Sequence, residues 1–139
     1  MNASDASPNN APVGISLLGL GVVGSAVASS ILSAEGQRRG LRLCAAVVRD
    51  TARQRGIELP DGALSSDPDT VLGSPHVGIV IELMGGEEPA LKYISLALSA
   101  GKHVVTANKE VISKHGETLR NLATANNVSL QYEASVGGG

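Results

Sequence analysis

No tryptophan and no phenylalanine occurs in this chain of 139 residues, and tyrosine appears only at Tyr93 and Tyr132. A core built on large aromatic rings is therefore excluded. Hydrophobic residues still make up 42% of the chain. The core must come from Val, Leu, Ile and Ala, which suits a parallel sheet covered by helices on both faces. Cysteine is nearly absent too. The single Cys44 lies in the apolar run 43–48, forms no internal disulfide, and reads as a small buried filler. His76, His103 and His115 have no spacing that suggests a metal site or a catalytic pair. Charge is scarce and balanced. A net charge of −2 gives no sign of a broad nucleic-acid surface. No apolar stretch reaches the length that spans a bilayer. Residues 1–12 lack the basic flank and apolar centre of a secretion signal and read as a disordered tail. A cytoplasmic chain with no membrane partner is expected by default. The length allows one domain with a real core and is short for a two-domain enzyme.

What is present is more telling. Gly19-Leu20-Gly21-Val22-Val23-Gly24 sits between an apolar run, Val13 to Leu18, and a segment rich in small and apolar residues, Val22 to Ser33. The first reads as a buried strand and the second as a packed helix. A strand that turns at once into a helix leaves unpaired amide N–H groups at the positive end of the helix dipole. Glycines there remove the Cβ atoms that would hold a pyrophosphate away from the backbone. On this strand–turn–helix setting the hexapeptide is a strong signal for dinucleotide binding.

Strands and helices alternate along the rest of the chain, as in a doubly wound α/β domain. After a polar connection, Glu35 to Gly40, a second strand is predicted at Leu41–Val48. Arg49 to Pro68 reads mostly as loop, and Asp69–Leu72 as a short helix. A third strand is centred on Val77–Ile81. Glu87-Glu88-Pro89 places acids and a proline in the first turn of the next helix. Ala90, Leu91, Ile94, Ala97 and Leu98 share its inner face, and Gly101 ends it. His103–Thr106 is a fourth strand, Asn108 caps a helix running to about Asn126, and Val128–Glu133 is a fifth strand. Gly137-Gly138-Gly139 reads as a loop feeding further structure. The expectation is a Rossmann-type domain over 13–139 that is truncated at its C-terminal end.

Four segments together carry a family resemblance: Gly19–Gly24, Ile81-Glu82-Leu83-Met84-Gly85-Gly86, Gly101–Lys109 with its Thr-Ala-Asn-Lys segment, and Tyr132–Gly139. In combination they resemble the amino-terminal portion of homoserine dehydrogenase. That family interconverts L-homoserine and L-aspartate 4-semialdehyde with NAD or NADP, on the route to threonine, methionine and isoleucine.

The resemblance implies that the pyrophosphate sits on the amides around Gly21, Val22 and Val23, and that Met84 and Gly85 line the nicotinamide ribose. Gly19–Gly24, Leu83–Gly86 and Thr106–Lys109 all follow strand ends, so one crevice is expected to gather them. Lys109 starts a helix, where a cation opposes the dipole. A carbonyl or anionic ligand would explain it, and the family's matching lysine is thought to assist catalysis. Thr106 and Asn108 would support it. Arg49-Asp50 ends the second strand and offers both an arginine for the 2′-phosphate of NADP and an acid for the ribose of NAD. The arginine comes first, with Arg53 and Arg55 nearby, which favours NADP. Glu133, Val136 and Gly138 match the family's monovalent cation site, usually sodium. The resemblance also implies a homo-oligomeric full-length protein whose main acid–base lysine and homoserine-binding acids lie in a later domain, so this chain alone is expected to bind cofactor and turn over little. Two other readings stay open: the dinucleotide domain of another amino-acid dehydrogenase, such as one acting on aspartate, and a non-catalytic nucleotide sensor.

Overall fold

The computed structural model describes residues 11–53 and 55–132. In chain order these form β1 (Val13–Leu18), α1 (Val22–Leu32), α2 (Ala34–Arg38), β2 (Leu41–Val47), β3 (Leu64–Ser65), α3 (Asp69–Leu72), β4 (Ile79–Glu82), α4 (Ala90–Ser99), β5 (His103–Thr106), α5 (Lys109–Ala125) and β6 (Leu130–Tyr132). The strands make one sheet in the order β3-β2-β1-β4-β5-β6, every neighbouring pair parallel. This is the doubly wound, Rossmann-type α/β arrangement. The chain winds outward from β1 in one direction and from β4 in the other, so the order reverses between them. Crevices in such sheets open at the carboxyl ends of the strands flanking that reversal.

Each face of the sheet has its own core. On one, Ile15 and Leu17 of β1 meet Leu43 and Ala46 of β2 beneath Ala28 and Ile31 of α1. On the other, Leu18, Val80 and Val104 pack against Ile94, Ala97 and Leu98 of α4 and against Val111 and Leu119 of α5. Fully buried leucines here each contribute about 1.5–3 kcal/mol relative to exposure. The small residues of α1 let it lie close to the sheet, and aliphatic side chains fill both layers, with the partly buried Tyr93 packed against one of them.

Several details differ from the pattern-based reading. The polar connection after α1 contains a short helix, α2. Ser33 caps it by accepting from the Gly36 N–H at 3.1 Å. The predicted loop 49–68 contains a sixth strand, β3, which pairs with Ala46 and Val47. Glu87 and Glu88 precede α4 instead of lying in its first turn, and Pro89 is its N-cap. Glu88 still serves the helix start, since its Oε1 accepts from the Lys92 N–H at 3.1 Å. Cys44 is only half-buried. The β1–β2 register jumps from Ile15↔Leu43 to Ser16↔Ala45, so Cys44 is the extra residue of a β-bulge. Its neighbour Gly14 is indispensable to that approach. A Cβ on Gly14 would lie 1.9 Å from the His76 carbonyl oxygen.

At the amino ends of the strands, just before β5, Lys102 is 5% exposed. Its ammonium donates to the carbonyls of Ser74 (2.6 Å) and Val77 (3.0 Å), and burial lowers its pKa. Among the described residues no helix is long and apolar enough to cross a membrane.

Candidate functional site

The turn from β1 into α1 is shaped by its three glycines, each for a different reason. Gly19 has φ +104°, and a Cβ on it would press to 3.2 Å from the Leu83 carbonyl at the end of β4. A side chain on Gly24 would lie 2.8 Å from the Gly19 carbonyl oxygen, so its absence lets α1 seat on the turn. Gly21 is the N-cap of α1, with no side-chain cap, and a Cβ built there meets nothing within 4 Å. The first amide bonded back into the helix is that of Ser25, which donates to the Gly21 carbonyl at 2.8 Å. The N–H groups of Val22, Val23 and Gly24 thus stand at the positive end of the dipole with no intrahelical acceptor. The side chains of Val22 and Val23 are exposed; only their amides belong to the turn.

This turn borders an open cleft of about 490 Å³ whose walls include Gly19, Leu20, Gly21, Arg49, Asp50 and Met84. Asp50 is occupied locally, its Oδ1 accepting from the Ala52 N–H at 3.0 Å. Arg55 is also committed, donating to the carbonyls of Asp50 (2.5 Å) and Arg53 (2.8 Å). Arg49 and Arg53 line the same cleft and make no ion pair among the described residues. Two uncompensated guanidinium groups beside free helix amides make this an attractive place for a phosphorylated ligand.

The second and third segments meet through Glu82, to which the sequence analysis gave no role of its own. Glu82 ends β4 and is fully buried. Its Oε2 accepts from the N–H groups of Met84 (2.9 Å) and Gly85 (3.3 Å) and from the Asn108 amide nitrogen (3.4 Å). Its Oε1 accepts from the Thr106 hydroxyl. Thr106 in turn accepts from the Asn108 N–H at 3.0 Å. Asn108 caps α5 as expected, accepting from the Val111 N–H at 3.1 Å, and also donates to the Gly86 carbonyl at 2.6 Å. Gly85 and Gly86, with φ +77° and +75°, supply the left-handed turns that fold this loop back over the carboxylate. A charged residue closing an otherwise apolar strand was the visible signal.

Lys109, Thr106 and Tyr132 line a second, smaller hollow of about 210 Å³ with Ile112. Gly19–Gly21 and Leu83–Met84 thus share the larger cleft, while Thr106–Lys109 line the smaller hollow. Lys109 is the exposed first residue of α5. His115 is half-buried and pairs with Glu87 at 2.6 Å, while Lys114 approaches the same carboxylate at 3.3 Å. Hydrogen bonding from His115, and then from Lys114, holds the Glu87 pKa below the ordinary 4.5. His103 is structural, its Nδ1 accepting from the Ser129 N–H at 3.0 Å. The residues expected to hold a cation, Glu133, Val136 and Gly138, lie outside the described residues, as do residues 1–10 of the expected tail 1–12. Among the described residues no three His, Cys, Asp or Glu side chains form a metal cluster.

A family model described as the NAD binding domain of homoserine dehydrogenase matches residues 19–133. The homoserine dehydrogenase of Synechocystis sp. is 38% identical over 130 residues, which cover 91% of this chain and 30% of that protein. That of Bacillus subtilis is 36% identical over 130 residues, covering 90% and 30%. Among solved structures, S. aureus homoserine dehydrogenase superposes with TM-score 0.81 at 35% identity, over 90% of this chain and 34% of the other. The enzyme from Thiobacillus denitrificans gives 0.79 at 35% identity, over 89% and 30%. The chain spans about 30% of the length of the curated relatives it matches.

Proposed function

We infer, from the fact that this chain belongs to the homoserine dehydrogenase family and matches its NAD-binding domain, that the domain holds NADP in preference to NAD for an enzyme interconverting L-homoserine and L-aspartate 4-semialdehyde. A nicotinamide dinucleotide is the family's cofactor, and the residues present fit it. The observation that carries the reading is Gly21: bare of a side-chain cap and open above its Cβ position, it leaves a cradle at a helix N-terminus that any side chain would fill. The amides of Val22, Val23 and Gly24 would hold the diphosphate, with Gly19 and Leu20 shaping the turn. When bound, the nicotinamide ring supplies hydride transfer at its C4.

The preference for NADP rests on the end of β2. There Asp50 is turned to its own backbone while Arg49 and Arg53 line the cleft unpaired, a set suited to a 2′-phosphate and poorly suited to a ribose diol. Met84 and Gly85 would lie along the nicotinamide ribose. Lys109, beside Thr106 at the mouth of the smaller hollow, would hold a proton or a charge near the substrate oxygen. The proposal keeps a sodium ion at Glu133, Val136 and Gly138 and a homo-oligomeric full-length protein, both implied by the family resemblance, and a cytoplasmic location as the default.

The test is calorimetric titration of the chain with NADPH and with NADH, on wild type and Arg49→Ala. NADPH should bind at least about tenfold more tightly than NADH, and the variant should lose that difference. Equal affinities in wild type would remove the NADP preference. Absence of binding by either would remove the reading itself.

A further inference from the structure

We propose that Glu82 is a positioning residue that fixes the cofactor-side loop Met84–Gly86 and the Lys109-bearing start of α5 in one arrangement; this rests on reading the chain as a dinucleotide-binding domain. At the level of Glu82 the sheet joins β1 to β4 through Leu18 and β4 to β5 through Thr106. Val80, two residues earlier on the same face, is an ordinary core residue. A carboxylate in that layer is unfavourable unless its oxygens are fully served.

Here they are served only by donors from the two segments in question, and by no cation among the described residues. Met84 and Gly85 donate from the loop after β4, whereas Thr106 and Asn108 donate from the β5–α5 junction. Because Asn108 also holds the Gly86 carbonyl and caps α5, movement of either segment breaks bonds in the other. The loop and the helix start move as one unit. An ionised carboxylate accepts only, so no other side chain of that size serves four donors at once.

Glu82→Gln keeps the volume and replaces one acceptor by a donor, which then faces either the Thr106 hydroxyl or the N–H groups of Met84, Gly85 and Asn108. In the 139-residue chain this variant should bind NADPH about ten- to a hundredfold more weakly. Amide hydrogen exchange at Met84 and Gly85 should accelerate. Ile94→Val, a truncation in the α4 core, serves as the control: it should lower Tm and leave the NADPH Kd unchanged. Should Glu82→Gln lose stability as Ile94→Val does while its Kd and local exchange match wild type, the proposal is overturned. Should Glu82→Gln fail to fold, wild type without nucleotide decides: Met84 and Gly85 amides protected like strand amides support the proposal, and loop-like exchange there overturns it. The exchange result stands even if wild type binds no NADPH, so failure of the cofactor reading is distinguishable from failure of this one.

Discussion

Gly21→Ala separates the demands of folding from those of ligand binding. Gly21 has φ −82° and ψ −151°, an extended backbone outside the left-handed region that demands glycine. The added methyl meets nothing within 4 Å. Two small effects on stability oppose each other. Alanine is a poorer N-cap than glycine by about 0.5–1 kcal/mol, while a stiffer unfolded chain returns about 0.4–1 kcal/mol. The net change should stay within about 1 kcal/mol, or roughly 4 °C in Tm. Binding is another matter. An N–H···O bond needs about 2.9 Å between nitrogen and oxygen, and a methyl over the helix start keeps a phosphate oxygen from that distance. Loss of two charge-assisted bonds, each about 1.5–3 kcal/mol, weakens NADPH at least a hundredfold. Gly21→Val should abolish binding. Gly24→Ala is the contrasting case: its Cβ would lie 2.8 Å from the Gly19 carbonyl oxygen, so Tm and affinity should fall together. Thermal melting beside calorimetric titration reads both quantities. A Gly21→Ala protein with unchanged Tm and wild-type affinity would refute the cradle.

Gly14→Ala should destabilise the domain by at least about 3 kcal/mol, because its Cβ would meet the His76 carbonyl oxygen at 1.9 Å and neither strand nor loop can yield that far; denaturant titration measures it, and a loss below about 1 kcal/mol would contradict the packing. Ser16 Oγ is buried without a hydrogen-bond partner among the described residues, so Ser16→Ala should raise stability by about 1 kcal/mol; a lower melting temperature would show that the hydroxyl is bonded. Glu87 has its pKa held below 4.5 by His115 and Lys114. A lowered folded-state pKa gives stability that is present above the unfolded value and lost as pH falls through the folded one. The Tm gap between wild type and Glu87→Gln should therefore be open near neutrality and close on acidification past 4.5. A gap that widens in acid would reverse the assignment.

Much of the fold was legible because its signals are local. The strand at Val13–Leu18 and the helix start at Val22 follow from an apolar run broken by glycines, and both lie where the pattern puts them. The α3 span Asp69–Leu72, the stop at Gly101 and the Asn108 cap likewise need only their sequence neighbours. Family membership was readable from the four segments for the same reason. β3 was not, since two residues make a strand only by pairing with β2. Nor was α2, whose short polar sequence gives little periodicity and depends on the Ser33 cap.

By itself the sequence determined the alternation of strands and helices, the largely aliphatic core, the glycine turn and the family. Tertiary structure alone decided that β4 lies between β1 and β5, and hence that the Glu82 carboxylate meets Thr106 and Asn108 across 24 and 26 positions of chain. It likewise decided the bulge at Cys44 and the pressure of His76 on Gly14. Propensities, caps and turns are set by atoms a few bonds apart, whereas contacts of this kind depend on strand register, which emerges only when both faces of the sheet are packed.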